Sequence, residues 1–269
     1  MITGIDHVII LADSLDQSIP RYETLGLEVV RGGIHPQGTE NALISLADGS
    51  YIELLAIRDP SGPGSRLWRR PDGGMRAAGE YGGYAVGSDG LEADMARIQR
   101  RGLTLDGPRA GARERPDGKM LKWKTAVSNH PVLPFLIEDE TPRTLRIGPP
   151  SRGFGMHART AEIVVVVEDL TGTARLYQQL MGSAEEARSD REVRVRAGPG
   201  RVVLFQPGPG DPARRHLDRS GPGVYALVLD VAGWPDSIRA IESALRQEER
   251  DRIIDPARTG GARIVLRPA

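Results

Sequence analysis

Three ionisable residues lie among apolar neighbours in stretches that have the pattern of β-strands. His7 begins one apolar run, Glu53 lies inside another, and Glu138 ends a third. A carboxylate in such surroundings must be ion-paired, hydrogen-bonded or metal-bound, because an isolated buried charge would otherwise become neutral. A buried imidazole commonly forms hydrogen bonds and has no further role, and Glu53 alone could also be an outward residue on a solvated strand face. The chemistry to consider is therefore metal binding or proton transfer, with a structural role as the alternative.

The elements that position these residues repeat along the chain. Three landmarks recur after 155 residues, in the pairs Leu15 and Leu170, Tyr22 and Tyr177, and Leu25 and Leu180. Each copy begins with an apolar strand, continues into an amphipathic helix and ends in short strands separated by glycine turns such as Asp48-Gly49. Weaker copies start near Tyr84 and Tyr225. The sequence therefore predicts an α+β fold of four βαβββ units, paired into two open β-barrels with helices outside.

Two domains of two units each account for the whole length. The predicted domains are residues 1–145, with units 1–58 and 80–140, and residues 156–269, with units 157–207 and 222–269. Stretches rich in Gly, Pro or Arg join the units, at Asp59 to Gly74, Thr141 to Gly155 and Pro207 to Gly223. The second domain is expected to be degenerate, because Glu162 matches His7 but about Leu204 matches Glu53.

The composition limits the classes of partner and cofactor. The 36 basic and 36 acidic residues cancel, so no global field attracts the chain to nucleic acid or to an anionic membrane, and a small, roughly neutral ligand is expected. The absence of cysteine leaves nitrogen and oxygen as the metal ligands. The N-terminus has no signal-peptide pattern and no apolar run is long enough to span a bilayer. A cytoplasmic location is expected.

Three passages resemble the vicinal-oxygen-chelate superfamily, which includes glyoxalase I, extradiol dioxygenases, fosfomycin-resistance proteins and bleomycin-binding proteins. They read GIDHVIILADSL, GTENALISLADGSYIELLAI and LPFLIEDETPR, the last with KMLKWKTA before it. The N-terminal half is most similar to the glyoxalase-like branch. The resemblance implies one divalent ion, held by the first and last strands of two paired units, with His7, Glu53 and Glu138 as its ligands. Such a ligand set suits Mn, Fe, Co, Ni or Zn.

The fourth ligand position that the resemblance implies is on the first strand of the second unit. An offset of 76 residues, which superposes Leu15 on Leu91, matches His7 with Gly83. Because glycine has no ligand side chain, the site either keeps three ligands and open positions or has decayed. A set of one imidazole and two carboxylates also differs from the set of two His and one carboxylate in extradiol dioxygenases.

Other residues are candidates for contact with a substrate. His35 and Asn41 lie in the connection before a predicted hairpin, where His35 acts as an acid or base or simply forms a turn with the proline after it. Lys122, Trp123 and Lys124 are consecutive on one strand. Because side chains alternate along a strand, either the tryptophan or the two lysines line the barrel interior.

The resemblance implies a metal-dependent isomerase or lyase that chelates a small oxygenated substrate and stabilises an enolate or oxyanion. Glu53 or Glu138 would then leave the metal to accept a proton. Two alternatives remain, an extradiol-type dioxygenase and a binding protein of the bleomycin-resistance type that does not turn its ligand over. Four units complete both barrels within one chain, so either a monomer or a homodimer is expected.

Overall fold

A computed structural model describes residues 1–69, 76–183, 185–248 and 251–269. In these ranges sixteen strands form two eight-stranded sheets, one from each half of the chain. The predicted fold of four repeated units is confirmed. Residues 70–74 of the first predicted connector lie outside the described ranges. None of the described helices is long and apolar enough to cross a membrane.

The first unit follows the predicted order of elements. These are β1 (Ile2–Ala12), α1 (Leu15–Glu23), β2 (Val30–His35), β3 (Thr39–Ser45) and β4 (Tyr51–Ile57). Helix α1 begins where Ser14 accepts a hydrogen bond from the backbone N–H of Gln17, as an N-cap residue does. The predicted turn between β3 and β4 is present, and Gly49 adopts a φ of 79° that favours glycine.

The second unit completes the first sheet. Its elements are β5 (Tyr81–Ser88), α2 (Leu91–Arg100), β6 (Leu105–Glu114), β7 (Met120–Ser128) and β8 (Phe135–Asp139), with the short helix α3 (Arg143–Arg146) after them. The two units join where β1 and β5 pair antiparallel. We expected an open barrel, and the pairing of Ile34 in β2 with Glu114 in β6 closes this sheet into a ring.

The second sheet contains the third and fourth units and stays open. Their elements are β9 (Ala158–Val166), α4 (Leu170–Met181), β10 (Glu185–Arg188), β11 (Glu192–Ala197), β12 (Gly200–Phe205), α5 (Pro212–Ser220), β13 (Gly223–Val231), β14 (Leu245–Glu248), β15 (Asp251–Ile254), α6 (Pro256–Thr259) and β16 (Ile264–Pro268). Helix α5 lies in the stretch that we expected to be a connector. A 3-10 helix, Asp236–Ala244, replaces the helix expected in the fourth unit.

Side chains of the first sheet alternate between two environments. Val8 and Ile10 of β1 pack in a large hydrophobic cluster that contains residues of both sheets and several helices. Ile9 and Leu11 instead face the barrel interior, where they pack with Leu55. The large cluster joins the two halves of the chain, so the division at 1–145 and 156–269 stays a prediction. The interior face carries the candidate site.

Candidate functional site

The first barrel contains a cavity of about 220 Å³. Both units contribute to its walls. The apolar and aromatic lining residues include Ile9, Tyr51, Leu55, Trp123, Phe135 and Ile137, and the polar ones include His7, His35, Gln37, Thr39, Asn41, Glu53, Arg113 and Arg146. A few convergent polar groups in an apolar pocket are typical of a ligand site.

His7 is buried at the cavity wall between two carboxylates. Its Nδ1 lies 2.7 Å from Oδ1 of Asp6, and its Nε2 lies 3.4 Å from Oε2 of Glu53. The imidazole stacks on the ring of Tyr51, with centroids 4.6 Å apart. Because an ionised carboxylate only accepts hydrogen bonds, Nδ1 carries the proton that is shared with Asp6. The other nitrogen, Nε2, therefore faces Glu53 and the cavity.

Asp6 stays ionised because two arginines surround it. Arg146 donates hydrogen bonds of 3.0 Å to both carboxylate oxygens, and Arg143 also donates to Oδ2. Burial by itself would raise the pKa of Asp6, but the hydrogen bond from His7 and the charge of Arg146 outweigh it and hold this pKa far below its ordinary value. Asp6 therefore fixes the orientation and tautomer of His7.

Glu53 is 6% exposed and makes contacts through both carboxylate oxygens. The Nδ2 group of Asn41 donates a 2.5 Å hydrogen bond to Oε1, while Oε2 faces His7. The Oδ1 atom of Asn41 accepts a hydrogen bond of 3.1 Å from Nη1 of Arg113. The amide of Asn41 therefore lies between the carboxylate of Glu53 and the guanidinium of Arg113.

His35 and Trp123 lie together at the cavity wall. Nδ1 of His35 is 2.8 Å from the Thr39 hydroxyl, and its ring meets Trp123 edge-on with centroids 5.9 Å apart. Burial lowers the pKa of His35, although the charge of Glu53 acts in the opposite direction. His35 is therefore a neutral imidazole near pH 7. The structure places His35, Asn41 and Trp123 at the cavity, and their roles stay predictions.

Lys122 and Lys124 point away from the cavity. Successive side chains of β7 alternate, so the placement of Trp123 inside the barrel directs both lysines outward. Lys124 donates a hydrogen bond of 2.9 Å to Glu92 on α2, and Lys122 is exposed. Of the two alternatives for this strand, the structure therefore places Trp123 at the cavity, and contact of the lysines with a substrate stays a prediction.

The structure does not bring Glu138 to His7 and Glu53. On β8 the side chain of Ile137 faces the cavity, so that of Glu138 faces the opposite side. Its Oε2 accepts a hydrogen bond of 2.9 Å from the backbone N–H of Leu91 at the start of α2. A carboxylate at a helix N-terminus is favourable, and here it replaces the cap that Gly90 cannot provide. The predicted ligand role of Glu138 therefore needs correction.

The register of the strands shows which residue corresponds to Glu53. In the first unit Ile9 pairs with Glu53, and in the second unit Ala85 pairs with Phe135. The offset of 76 residues matches Ile9 with Ala85. Phe135 therefore takes the position of Glu53, and its ring lies 5.5 Å from the ring of His7.

Comparison with known proteins identifies the family. The sequence model of the glyoxalase-like domain family matches residues 5–181. The chain belongs to this family. The predicted relationship to the vicinal-oxygen-chelate superfamily is thereby confirmed. No curated protein matches the sequence.

Solved structures share the fold of this glyoxalase-like chain at low sequence identity. A hypothetical protein from Staphylococcus aureus has a TM-score of 0.69 and 16% identity, over 98% of this chain and 99% of that one. A triple mutant of 4-hydroxymandelate synthase from Streptomyces coelicolor has a TM-score of 0.64 and 15% identity, over 92% of this chain and 78% of that one. These similarities establish the fold alone.

The residues present do not fit the metal site that this family resemblance implies. His7 and Glu53 are close enough to be neighbouring ligands, but catalytic metals usually have three protein ligands. Gly83 and Phe135 stand where the second unit would supply the others. No three or more His, Asp or Glu side chains of the described ranges form a group that could hold an ion.

Among its described residues, the second sheet of the glyoxalase-like chain has no equivalent of the His7–Glu53 pair. Glu162, which corresponds to His7, accepts hydrogen bonds of 2.6 Å from Arg194 and 2.9 Å from Arg267. The register places Val203, rather than the expected Leu204, in the position of Glu53. Ion pairing therefore accounts for Glu162.

Three functional candidates were missed by sequence reasoning, namely Asp6, Arg113 and Arg146. Asp6 directly precedes His7, which is a signal that an Asp–His hydrogen bond is possible. Arg113 lies in the polar strand β6, which has no apolar pattern to show its direction. Arg146 lies in the stretch expected to be a linker, so its contact with Asp6 is visible only in three dimensions.

Proposed function

We propose that the barrel cavity is the active site of an enzyme that moves a proton in a small oxygenated substrate, with His7 and Glu53 as its acid–base pair. The chain of contacts from Asp6 through His7 to Glu53, whose last two members line the cavity, carries this proposal. Asp6 keeps the Nδ1 proton in place, so Nε2 can accept or donate a proton at the cavity. The 3.4 Å separation from Glu53 exceeds an ordinary N–H···O distance, which leaves both groups available to a substrate.

The proton would come from a carbon next to a carbonyl group. One member of the pair accepts this proton, the substrate becomes an enolate, and the proton returns to a carbon of the enolate to complete an isomerisation or epimerisation. Positive charge near the enolate oxygen lowers the barrier, and the guanidinium of Arg113 supplies it. Neutral His35 offers a further hydrogen-bonding group at the same wall.

The proposal keeps the isomerase or lyase class expected from the sequence and omits the metal ion. A metal-dependent isomerase and an extradiol-type dioxygenase both need donors at positions that Gly83 and Phe135 fill. A phenyl ring cannot replace a carboxylate as a ligand. His7 and Glu53 would therefore transfer protons directly, without a metal ion.

Solvent exchange tests this proposal before the product is known. The protein is treated with a chelator and incubated in D₂O with a panel of 2-oxo and 3-oxo acids, and proton NMR follows the loss of the signal from the carbon next to the carbonyl. Exchange with the wild type should fall by about 100-fold or more in Glu53→Gln and in His7→Asn. Glu40→Gln is the matched control, because Glu40 lies beside Asn41 on β3 and does not line the cavity. Equal exchange in the wild type and Glu53→Gln would contradict the proposal.

Binding without turnover is a second candidate. Phe135 and Trp123 give the cavity aromatic walls, which suit retention of a ligand as well as catalysis. Under this alternative, a ligand from the panel would bind in the cavity and its carbon-bound protons would not exchange.

A further inference from the structure

Arg113 is a buried cation without an ion-pair partner in the described part of the chain. It is 3% exposed, and none of the described carboxylate oxygens lies within 4.0 Å of its guanidinium nitrogens. Nη1 and Nη2 donate to Asn41 and to the carbonyl of Arg146, whereas Nε is buried with no partner among the described residues. Arg146 differs, because Asp6 and Asp139 neutralise it.

A buried, unpaired cation such as Arg113 lowers the stability of the folded protein unless a group of opposite charge compensates it. Burial lowers the pKa of Arg113, but a guanidinium keeps its proton in proteins, so the charge remains. Breaking a buried ion pair is strongly destabilising because one charge is left alone, and Arg113 is near that condition in the free protein. Glu53 has the opposite charge, but Asn41 separates the two groups.

The backbone of β2 makes room for this side chain. A Cβ atom on Gly32 would lie 2.5 Å from Nη1 of Arg113, and a Cβ atom on Gly33 would lie 3.1 Å from its Cγ. Glycine in a strand often marks a place where another group approaches closely. The two glycines therefore allow Arg113 to cross β2 and reach the cavity that it lines.

We propose, on the basis of the proposed function, that the substrate is a small monoanion whose carboxylate accepts a hydrogen bond from the guanidinium of Arg113, which lines the cavity. Its apolar part packs against Ile9, Leu55 and Phe135, which line the same cavity. The cavity of about 220 Å³ is smaller than the range of about 300–1,000 Å³ for drug-sized ligands, which excludes nucleotides and CoA esters as fully enclosed occupants. A dianion is disfavoured, because the carboxylate of Glu53 lies in the same cavity.

The neutral composition predicted a roughly neutral ligand, and the local charge overrides that expectation. The 36 basic and 36 acidic residues describe the whole surface, whereas recognition depends on the groups that line the cavity. A carboxylate on the guanidinium of Arg113 would form a charge-assisted hydrogen bond, which is about twice as strong as a neutral one. The net charge of the chain therefore carries no information about this ligand.

Calorimetric titration of matched acids and amides tests the inference. The probes are benzoate and 2-oxobutyrate, each with its neutral amide, and the proteins are the wild type, Arg113→Gln and Arg113→Lys. The wild type should bind each acid at least about 10-fold more tightly than the amide, and Arg113→Gln should remove this preference. Arg109→Gln is the control, because Arg109 lies on the same strand and is exposed. Acids and amides that bind the wild type equally, or acids that bind Arg113→Gln as tightly as the wild type, would overturn it.

Two further measurements separate folding and catalysis from recognition. If Arg113→Gln does not fold, Arg113→Lys carries the test, since it keeps the charge and loses the planar guanidinium donors, and its preference for acids should fall. Acids that bind through Arg113 but exchange no protons would defeat the proposed function and leave this inference standing. Exchange of oxo acids that falls in Glu53→Gln but is unchanged in Arg113→Gln would defeat this inference and leave His7 and Glu53 standing as the acid–base pair.

Discussion

Phe135 of the second unit lies in the strand position that Glu53 holds in the first. Glu53 pairs in register with Ile9, and Phe135 pairs with Ala85, the counterpart of Ile9. The two units therefore share a backbone arrangement and differ in chemistry. One unit provides an imidazole and a carboxylate, and the other provides an aromatic wall.

Restoring a carboxylate at this position should create a metal site. In Phe135→Glu the new side chain starts beside the ring of His7, since the two rings are 5.5 Å apart. The new carboxylate, His7 and Glu53 then provide three donors, which is the usual number of protein ligands in a catalytic metal site. Calorimetric titration with Zn²⁺ and Ni²⁺ should detect about one bound ion per chain, because a site with three protein ligands binds a single ion.

The control places a carboxylate elsewhere on the same wall. Ile137→Glu also faces the cavity, two residues further along β8. It should bind divalent ions more weakly than Phe135→Glu, and adding His7→Ala to Phe135→Glu should abolish binding. Equal binding by both glutamate variants would show that the register does not define the ligand position.

Asp6→Asn should destabilise the protein as well as impair proton transfer. The variant leaves Arg146 with Asp139 as its acidic partner and replaces the charged acceptor that orients His7 with a neutral amide. Disrupting a buried ion pair lowers the free energy of unfolding by about 3–5 kcal/mol. We expect a loss at the lower end of this range, because Asp139 still pairs with Arg146. Urea unfolding measures this loss.

Asp16→Asn is the matched surface control. Asp16 forms an ion pair with Arg31, and both side chains are about half exposed or more. Exposed pairs typically contribute less than about 1 kcal/mol. A loss in Asp6→Asn no larger than in Asp16→Asn would show that the buried network around His7 contributes nothing unusual.

The sequence predicted the fold because the same period-two strands and amphipathic helices recur four times. It also predicted that His7, Glu53, His35 and Asn41 are site candidates, and all four line one cavity. The placement of Glu138 failed for a physical reason. A shift of one residue along a strand moves a side chain to the other face, and the sequence of β8 does not show which face is inside.

Arg113 could not be predicted for a different reason. Its burial depends on the glycines of β2 and on the amide of Asn41, which the ring closure between β2 and β6 brings near. No local pattern in β6 shows that contact. The charges that define the site therefore come from packing between units.

His35 should give the wild type a stability loss at mildly acidic pH. Burial lowers its pKa in the folded protein, whereas in the unfolded chain the imidazole titrates near about pH 6.5. Below that pH the unfolded chain binds a proton that the folded protein does not, so stability falls as the pH decreases. His35→Gln removes this linkage. Melting temperatures measured between about pH 5 and 7.5 should therefore depend less on pH in the variant, and an unchanged profile would contradict the buried neutral state of His35.

Gly32→Ala should weaken binding of small acids through Arg113. The new methyl group would contact Asn41 and lie 2.5 Å from Nη1 of Arg113, so both side chains must shift. Affinity for benzoate should drop by about 10-fold or more, because a hydrogen bond to a charged group contributes about 1.5–3 kcal/mol. Gly148→Ala is the control, since a Cβ atom there meets no described atom within 4 Å. Equal benzoate affinity in both variants would argue against a role for Arg113.

The proposed proton transfer by His7 and Glu53 needs no resident metal, and the second unit supplies Gly83 and Phe135 in place of metal ligands. Metal content tests it most directly. Protein purified without a histidine tag is incubated with Mn, Fe, Co, Ni and Zn, and plasma mass spectrometry compares the wild type with His7→Ala. We expect no stoichiometric ion in either protein. One divalent ion per chain in the wild type, lost in His7→Ala, would contradict the account and restore the metal-dependent mechanism.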